Sequence, residues 1–194
     1  YHEHFSYLSL TAVSRIFSSA GLRIWDIEEL NTHGGSLRVY GCHENSKRLN
    51  TEMVDKILNQ ELKNGLLDLN VYKQFQARAE KVKNTLLSFL IEQKNAGNSV
   101  AAYGAAAKGN TILNYAGIKT DLLPYVCDSA PSKQSKYMPG SHIPILSPEV
   151  LKERRPDYII ILPWNITEEV LNEYSYAKEW GAKFVTAVPE LRII

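Results

Sequence analysis

The sequence predicts an α/β fold, a parallel sheet with helices on both faces, preceded by a helix, a β-hairpin and connecting helices. Three observations carry this. Short apolar runs alternate with helical stretches through residues 99–194, a rhythm that calls for crossover connections between parallel strands. Tyr158 to Leu162 is a continuous apolar run, as expected of a strand buried on both faces. Val100 to Tyr103 is followed by a small-residue loop, Gly104 to Gly109, and then by a helix.

The elements follow in order. Leu10, Val13, Ile16, Phe17 and Ala20 recur at helical spacing, and Gly21 stops that helix. Leu22, Ile24 and Trp25 start a strand, Asn31 to Gly35 make a turn, and Leu37, Val39 and Tyr40 return antiparallel. Met53, Ile57, Leu58 and Leu62 mark the apolar face of a helix that ends at Asn64-Gly65. A longer helix is expected from Val71 to Lys94. Phe75, Ala79, Val82, Leu86, Phe89 and Leu90 line one side, and Lys73, Arg78, Glu80, Lys81 and Lys83 the solvated side.

In the second half, a helix beginning at Thr111 ends at Gly117. Leu123 to Cys127 is a strand, Asp128 to His142 a long polar loop, and Ile143 to Ile145 a brief strand. Ser147-Pro148-Glu149 opens a helix, with serine as cap and proline in the first turn. Glu168 to Trp180 is expected to be helical and Phe184 to Ala187 to be the last strand.

Composition narrows the function. The formal net charge over 194 residues is only +1, so no whole-chain field favours a nucleic acid polymer, and any anion site must be local. Cys42 and Cys127 are the only cysteines. They are too few for a disulfide framework and lack the spacing of a zinc site, so no metal is expected and a reducing, cytoplasmic setting is. No apolar run is long enough to span a bilayer, and no signal-peptide pattern opens the chain, so no membrane partner is expected. The chain begins inside a polar-aromatic cluster, Tyr1-His2-Glu3-His4-Phe5, without an initiator methionine. It therefore reads as part of a longer protein.

Ligands of open parallel sheets bind beyond the carboxyl ends of the strands. Three loops leave such ends. Gly104 to Thr111 offers small residues, a helix N-terminus and the charge of Lys108, with Gly109, Asn110 and Thr111 in the same turn, and suits a phosphate or pyrophosphate. It matches neither the Walker A spacing nor GxGxxG, and a tight turn without ligand is the plainer alternative. Asp128, at the end of the second parallel strand, occupies the place of the acid that holds a ribose in dinucleotide-binding folds. Lys133, Tyr137 and His142 follow on its loop, which is either a ligand cover or a plain surface loop. Trp164 and Asn165 follow the buried strand, where the indole is placed either to stack on a ring or to fill the core. At the other end of the chain, His4 has the chemistry of a general base near neutral pH, and Glu3 that of its orienting carboxylate, with Tyr1 beside them. Spacing alone equally allows a terminus of no consequence. His2 and His4 have no evident third ligand for a metal.

Taken together, several motifs resemble the sugar C-methyltransferases of deoxysugar pathways. They are Tyr1-His2-Glu3-His4-Phe5, His33-Gly34-Gly35-Ser36-Leu37-Arg38, Tyr103 to Thr111, Asp128 to Gln134, Tyr137 to Ile145, and Leu162-Pro163-Trp164-Asn165. The resemblance implies a zinc-binding N-terminal domain and a central S-adenosylmethionine-binding domain, followed by a C-terminal Rossmann-like domain that anchors the sugar nucleotide. On it, residues 1–45 are the end of the methyltransferase domain, 46–98 a helical connector, and 99–194 the Rossmann-like domain. The cofactor site then lies mostly upstream, and this stretch alone lacks activity. The resemblance makes His4 the base that removes a proton next to the sugar ketone, with Tyr1 and Glu3 as its catalytic companions. It also makes the Gly104 to Thr111 loop the diphosphate hold. A non-catalytic nucleotide-binding or sugar-nucleotide-binding module is the alternative. A nicotinamide-dependent oxidoreductase is a third reading, disfavoured by the incomplete glycine fingerprint.

Overall fold

A computed structural model describes residues 6–194, and Tyr1, Glu3 and His4 lie outside the described residues. The chain divides into two compact units, up to Gln76 and from Ala77 onward. Residues 46–98 are thus shared between both.

The first unit begins with α1 (Leu10–Ser19), capped by Ser9, whose hydroxyl accepts from the Ala12 amide at 3.2 Å. Strands β1 (Leu22–Leu30) and β2 (Ser36–His43) form an antiparallel hairpin. A short 3-10 turn, Thr32–Gly34, joins them. Helix α2 (Glu52–Lys63) follows, and its cap residue Thr51 donates a hydroxyl hydrogen bond to Asp26 at 2.6 Å. The apolar centre is small: Leu10, Ile24, Ile27, Val54 and Ile57. It is completed by a charge. Glu61 is 8% exposed, and its carboxylate accepts from the Leu10 amide, the Thr11 amide (2.8 Å) and the Thr11 hydroxyl (2.7 Å). A carboxylate at the first turn of α1 satisfies amides that have no partner inside the helix and sits at the positive end of its dipole.

This arrangement corrects the apolar face expected of α2. Leu62 is exposed, and Glu61 takes the inward position instead. Ile16 of α1 is likewise exposed. The helix expected from Val71 to Lys94 is divided into α3 (Leu69–Lys73) and α4 (Phe75–Asn95). Phe75, placed on the apolar side by its spacing, is 66% exposed, and burial in α4 begins in earnest only at Leu86.

The second unit is a seven-stranded sheet. After α4 come β3 (Val100–Tyr103), α5 (Ala107–Ala116), β4 (Val126–Cys127), β5 (Lys136–Tyr137) and β6 (Pro144–Leu146). They are followed by α6 (Glu149–Arg154), β7 (Tyr158–Ile161), α7 (Thr167–Glu173), β8 (Lys183–Thr186) and β9 (Arg192–Ile193). The strand order is β5-β6-β4-β3-β7-β8-β9. Strands β6, β4, β3, β7 and β8 are parallel, with β5 and β9 antiparallel at the edges. Numbered among themselves in chain order, the parallel strands run 3-2-1-4-5, the doubly wound Rossmann order. The α/β class with helices on both faces therefore stands.

Alternate residues of each strand enter opposite cores. Val100, Ala102, Val126 and Ile160 meet α4 and α5 through Leu86, Leu90 and Leu113. Ala101, Cys127, Ile159, Ile161 and Phe184 meet α6 and α7 through Leu151 and Val170. Each isoleucine of β7 is at most 1% exposed, and such full burial is worth about 1.5–3 kcal/mol per side chain.

Four local departures come from tertiary context. No helix joins β4 to β6; a hairpin containing β5 fills that connection. Strand β9, on the edge beside β8, has no counterpart in the sequence pattern. The last helix stops at Glu173 and tightens into a 3-10 stretch, Ser175–Trp180. Helix α5 starts at Ala107 rather than Thr111, which places Lys108, Gly109 and Asn110 within its first turn.

At the amino ends of β3 and β7, Ser99 and Asp157 clasp each other. The Ser99 amide and hydroxyl both donate to the Asp157 carboxylate at 2.7 Å, and the Asp157 amide donates to the Ser99 hydroxyl at 3.1 Å. The Ser99 backbone bond, and next its hydroxyl, hold the Asp157 carboxyl below its ordinary value. A carboxyl depressed in the folded state adds stability above its unfolded pKa, about 3.9, and loses that contribution as pH falls through the lower folded value. Asp157→Asn is therefore expected to lower the melting temperature at pH 7 but to narrow its difference from the unaltered chain below about pH 3.9. Thermal unfolding followed by circular dichroism across pH 2–7 reads this directly; a difference constant with pH would contradict it.

Candidate functional site

The sheet order reverses between β3 and β7, and the crevice of such folds opens at the carboxyl ends of that pair. Tyr103 and Ile161 are register partners there, and the chain leaves them through Gly104 and through Leu162-Pro163. Two glycines allow these exits to close on each other. Gly104 has φ +96°, and a Cβ on it would fall 2.4 Å from Pro163 Cδ. Gly109 lies in the first turn of α5, where a Cβ would fall 2.7 Å from Leu162 Cβ. The start of α5 thus rests directly on the end of β7. Its cap position is Ala106, which offers no side-chain hydrogen bond, so the helix N-terminus has small residues and no built-in acceptor.

Polar groups gather around that turn. Lys108 Nζ stands 5.9 Å from the centroid of the Trp164 ring. Trp164 is half-buried in the 3-10 turn after β7, and Asn165 beside it is exposed. Asn110 Oδ1 is buried with no hydrogen-bond partner among the described residues. The exposed Thr111 hydroxyl bonds back to the Ala107 carbonyl at 2.9 Å. Asp128, 6% exposed at the end of β4, accepts from the Ala105 amide at 2.7 Å and from Lys133 Nζ at 3.0 Å on one oxygen. Its other oxygen accepts from the Ala130 amide at 2.9 Å.

Of the residues singled out in the sequence, Gly104, Lys108, Gly109, Asp128, Lys133 and Trp164 take part in these contacts, and Asn110 shares the first turn of α5 with Lys108 and Gly109. Tyr137 and His142 are tied elsewhere. They belong to the β5–β6 hairpin, which is fastened to the C-terminal half of α5. The Asn114 amide donates to the Pro139 carbonyl at 2.8 Å, and Lys119 Nζ to the Gly140 carbonyl at 2.6 Å. Both Tyr137 and His142 are exposed.

A cleft of about 510 Å³ lies beyond the carboxyl ends of β4 and β6, lined in part by Ser129, Gln134, Lys152, Tyr174 and Tyr176. Lys152 Nζ sits 4.3 Å from the Tyr176 ring centroid, and the Tyr174 ring packs against Tyr103 at a tilt of 47°, with centroids 4.4 Å apart. Burial pushes the Tyr174 phenol well up, with Tyr103 and then Glu173 acting in the same sense, so this tyrosine stays protonated. No local pattern marks Lys152, Tyr174 or Tyr176, because Lys152 lies on α6 and the two tyrosines follow α7, in segments far apart in the chain. A second hollow, about 430 Å³, opens at the amino ends between Leu90, Tyr125 and Arg154. Cys127, fully buried, has its thiol pushed up to about 12 chiefly by burial and is no nucleophile at neutral pH. Among the described residues no group of three metal-capable side chains occurs, and no helix is long and apolar enough to cross a membrane.

Comparison with known proteins bears on residues across both units. The family model described as the C-methyltransferase C-terminal domain matches residues 31–189. Over all 194 residues the chain is 34% identical to C-methyltransferase NovU of Streptomyces niveus, covering 100% of this chain and 46% of that protein. The chain therefore spans about half the length of this relative. Among solved structures, UDP-D-quinovosamine 4-dehydrogenase from Vibrio fischeri gives a TM-score of 0.38 at 16% identity, over 50% of this chain and 93% of that one. That likeness is too slight to argue from.

The two glycine contacts separate packing from backbone strain. Gly109→Ala is expected to destabilise the second unit by about 1–3 kcal/mol, since the methyl must displace Leu162. Gly117→Ala, at φ +68° with nothing within 4 Å of its Cβ, carries only the left-handed strain of about 1–2 kcal/mol. Urea unfolding, with the fluorine resonance of 5-fluorotryptophan assigned to Trp164 as a local probe, distinguishes them. Only Gly109→Ala should alter the native Trp164 signal.

Proposed function

From the premise that this chain belongs to the C-methyltransferase C-terminal domain family, we propose that it is the C-terminal part of an enzyme that methylates a carbon of a nucleotide-linked keto-deoxysugar. Residues 99–194 hold the nucleotide diphosphate, residues 1–45 close the methyltransferase domain, and 46–98 connect them. The observation that carries the proposal is the uncapped start of α5, lying on the end of β7 at the point where the strand order reverses. A helix N-terminus there presents amides and a positive dipole end to an anion, and Lys108 adds a cation beside it. Gly109 lets the helix lie close, Asn110 and Thr111 supply polar groups, and Trp164 and Asn165 supply a flat face and an amide at the adjoining exit. Lys133, held by Asp128, belongs to the loop that flanks the anion, whereas Tyr137 and His142 sit on the β5–β6 hairpin away from it and take no part. Binding energy from the diphosphate end, remote from the reacting carbon, would be used to orient the sugar.

The described residues of the first unit form α1, a two-stranded antiparallel hairpin, α2 and the short α3, with no parallel strand leading through a glycine turn into a helix. By themselves they do not fit S-adenosylmethionine, which we assign to the part of the relatives' length that this chain does not span. In the intact protein His4 would take the proton from the carbon next to the ketone, with Tyr1 and Glu3 holding its ring and the enolate oxygen. The free thiols of Cys42 and Cys127 suit a reducing cytoplasm.

Two measurements test this. Calorimetric titration of the chain with uridine or thymidine diphosphate should show binding that Lys108→Ala weakens about tenfold, the value of one charge-assisted contact. Absence of binding to the unaltered chain would remove the nucleotide reading. In the intact enzyme, His4→Ala should slow solvent exchange of the sugar α-proton by at least about a hundredfold, the lower range of general-base contributions. Exchange at the original rate would mean that His4 is not the base.

A further inference from the structure

The ribose-binding place of a dinucleotide fold is the acid at the end of the second parallel strand, here Asp128. Such an acid must present free carboxylate oxygens to a diol. Asp128 is almost wholly buried, and both oxygens are engaged inside the protein. One accepts from the Ala105 amide and the Lys133 ammonium, and the other from the Ala130 amide. Beside them, Gln134 Nε2 donates to the Asp128 carbonyl at 2.9 Å, so the residue is anchored through its backbone as well. Three donors already fill most of the roughly four acceptor positions of this carboxylate, and the residue is only 6% exposed, so little is left to offer a diol, which needs two.

The Ala105 amide lies between Gly104, at positive φ, and Ala106, the cap position of α5. The Asp128 carboxylate therefore pins the middle of the turn that starts the anion-facing helix, and it draws Lys133 in from the neighbouring loop. We infer that Asp128 is a positioning residue: it fixes the Gly104–Ala106 turn and the Lys133 ammonium, and it does not bind the ribose of the nucleotide. The inference rests on the reading of that turn as a diphosphate site. Its chemical consequence is a site indifferent, through this residue, to the presence of the ribose hydroxyls.

The test uses the chain with uridine diphosphate and 2′,3′-dideoxyuridine diphosphate, which lacks both ribose hydroxyls, together with Asp128→Asn and Lys133→Met. The unaltered chain should bind both nucleotides within about threefold of each other, and Asp128→Asn should weaken both by about the same factor, roughly tenfold. A tenfold or larger preference for the ribonucleotide that Asp128→Asn erases would overturn the inference. Lys133→Met leaves both amide bonds in place and guards against a folding defect. Equal weakening of the two nucleotides supports the inference, and selective loss of the ribonucleotide overturns it. Amide hydrogen exchange in the ligand-free protein reads the staple independently. Asp128→Asn should speed exchange at Ala105 while leaving Ile160 protected, and unchanged exchange at Ala105 overturns the positioning role. If neither nucleotide binds the unaltered chain, the nucleotide reading fails together with Asp128's part in it, whereas the exchange result still decides whether the turn is pinned.

Discussion

Helix α5 can rest on the end of β7 only because residues 104 and 109 have no side chains, and the arrangement of the candidate site depends on that approach. A single methyl at either position would meet Pro163 or Leu162 inside van der Waals distance. With the glycines in place, the first turn of α5 is set over the reversal point of the sheet, and Lys108 comes near Trp164. The sheet beneath resists adjustment, because β3 and β7 are sealed on both faces by separate apolar cores and joined at their amino ends by Ser99 and Asp157. Interiors at this density transmit a displaced atom rather than absorb it.

The two units use different means to the same end. The second has extensive apolar burial and needs few buried charges; Asp128 is the exception, and it serves a loop rather than the core. The first has a small apolar centre, and a buried glutamate from α2 supplies the hydrogen bonds that start α1. In both units a carboxylate satisfies backbone amides that regular structure leaves unpaired. In both, the acid reaches at least one amide in a segment distant in sequence, Leu10 and Thr11 for Glu61 and Ala105 for Asp128, so that bond fixes tertiary arrangement rather than local conformation.

Much of the fold could be read from the residues. The β7 run declares burial on both faces, Gly117 ends α5 in the left-handed conformation that glycine accepts, and the alternation of strands with helices gives the parallel sheet. The site was legible in outline for the same reason: small residues between a strand and a helix, followed by lysine, have a local chemical meaning. What was misjudged shares one cause. Leu62 reads as a core residue, yet it is exposed while Ile57 stays buried, and Glu61 takes the inward place because α1 offers unpaired amides to the acid. Phe75 fits an apolar stripe, but no core reaches the first turns of α4. Asp128 was legible as an acid at the end of the second parallel strand, and only the tertiary structure shows the Ala105 and Ala130 amides and Lys133 donating to it.

The sequence by itself determined the class of fold, the order of its parallel strands' elements along the chain, and the family, because apolar periodicity, glycine turns and short motifs are local properties. Tertiary structure alone decided which polar side chains face inward, where the β5 and β9 edges pair, and how Lys152, Tyr174 and Tyr176 come to line one cleft. These depend on groups brought together from separate segments, and the hydrogen bond or ring contact that settles each one exists only once both segments are in place.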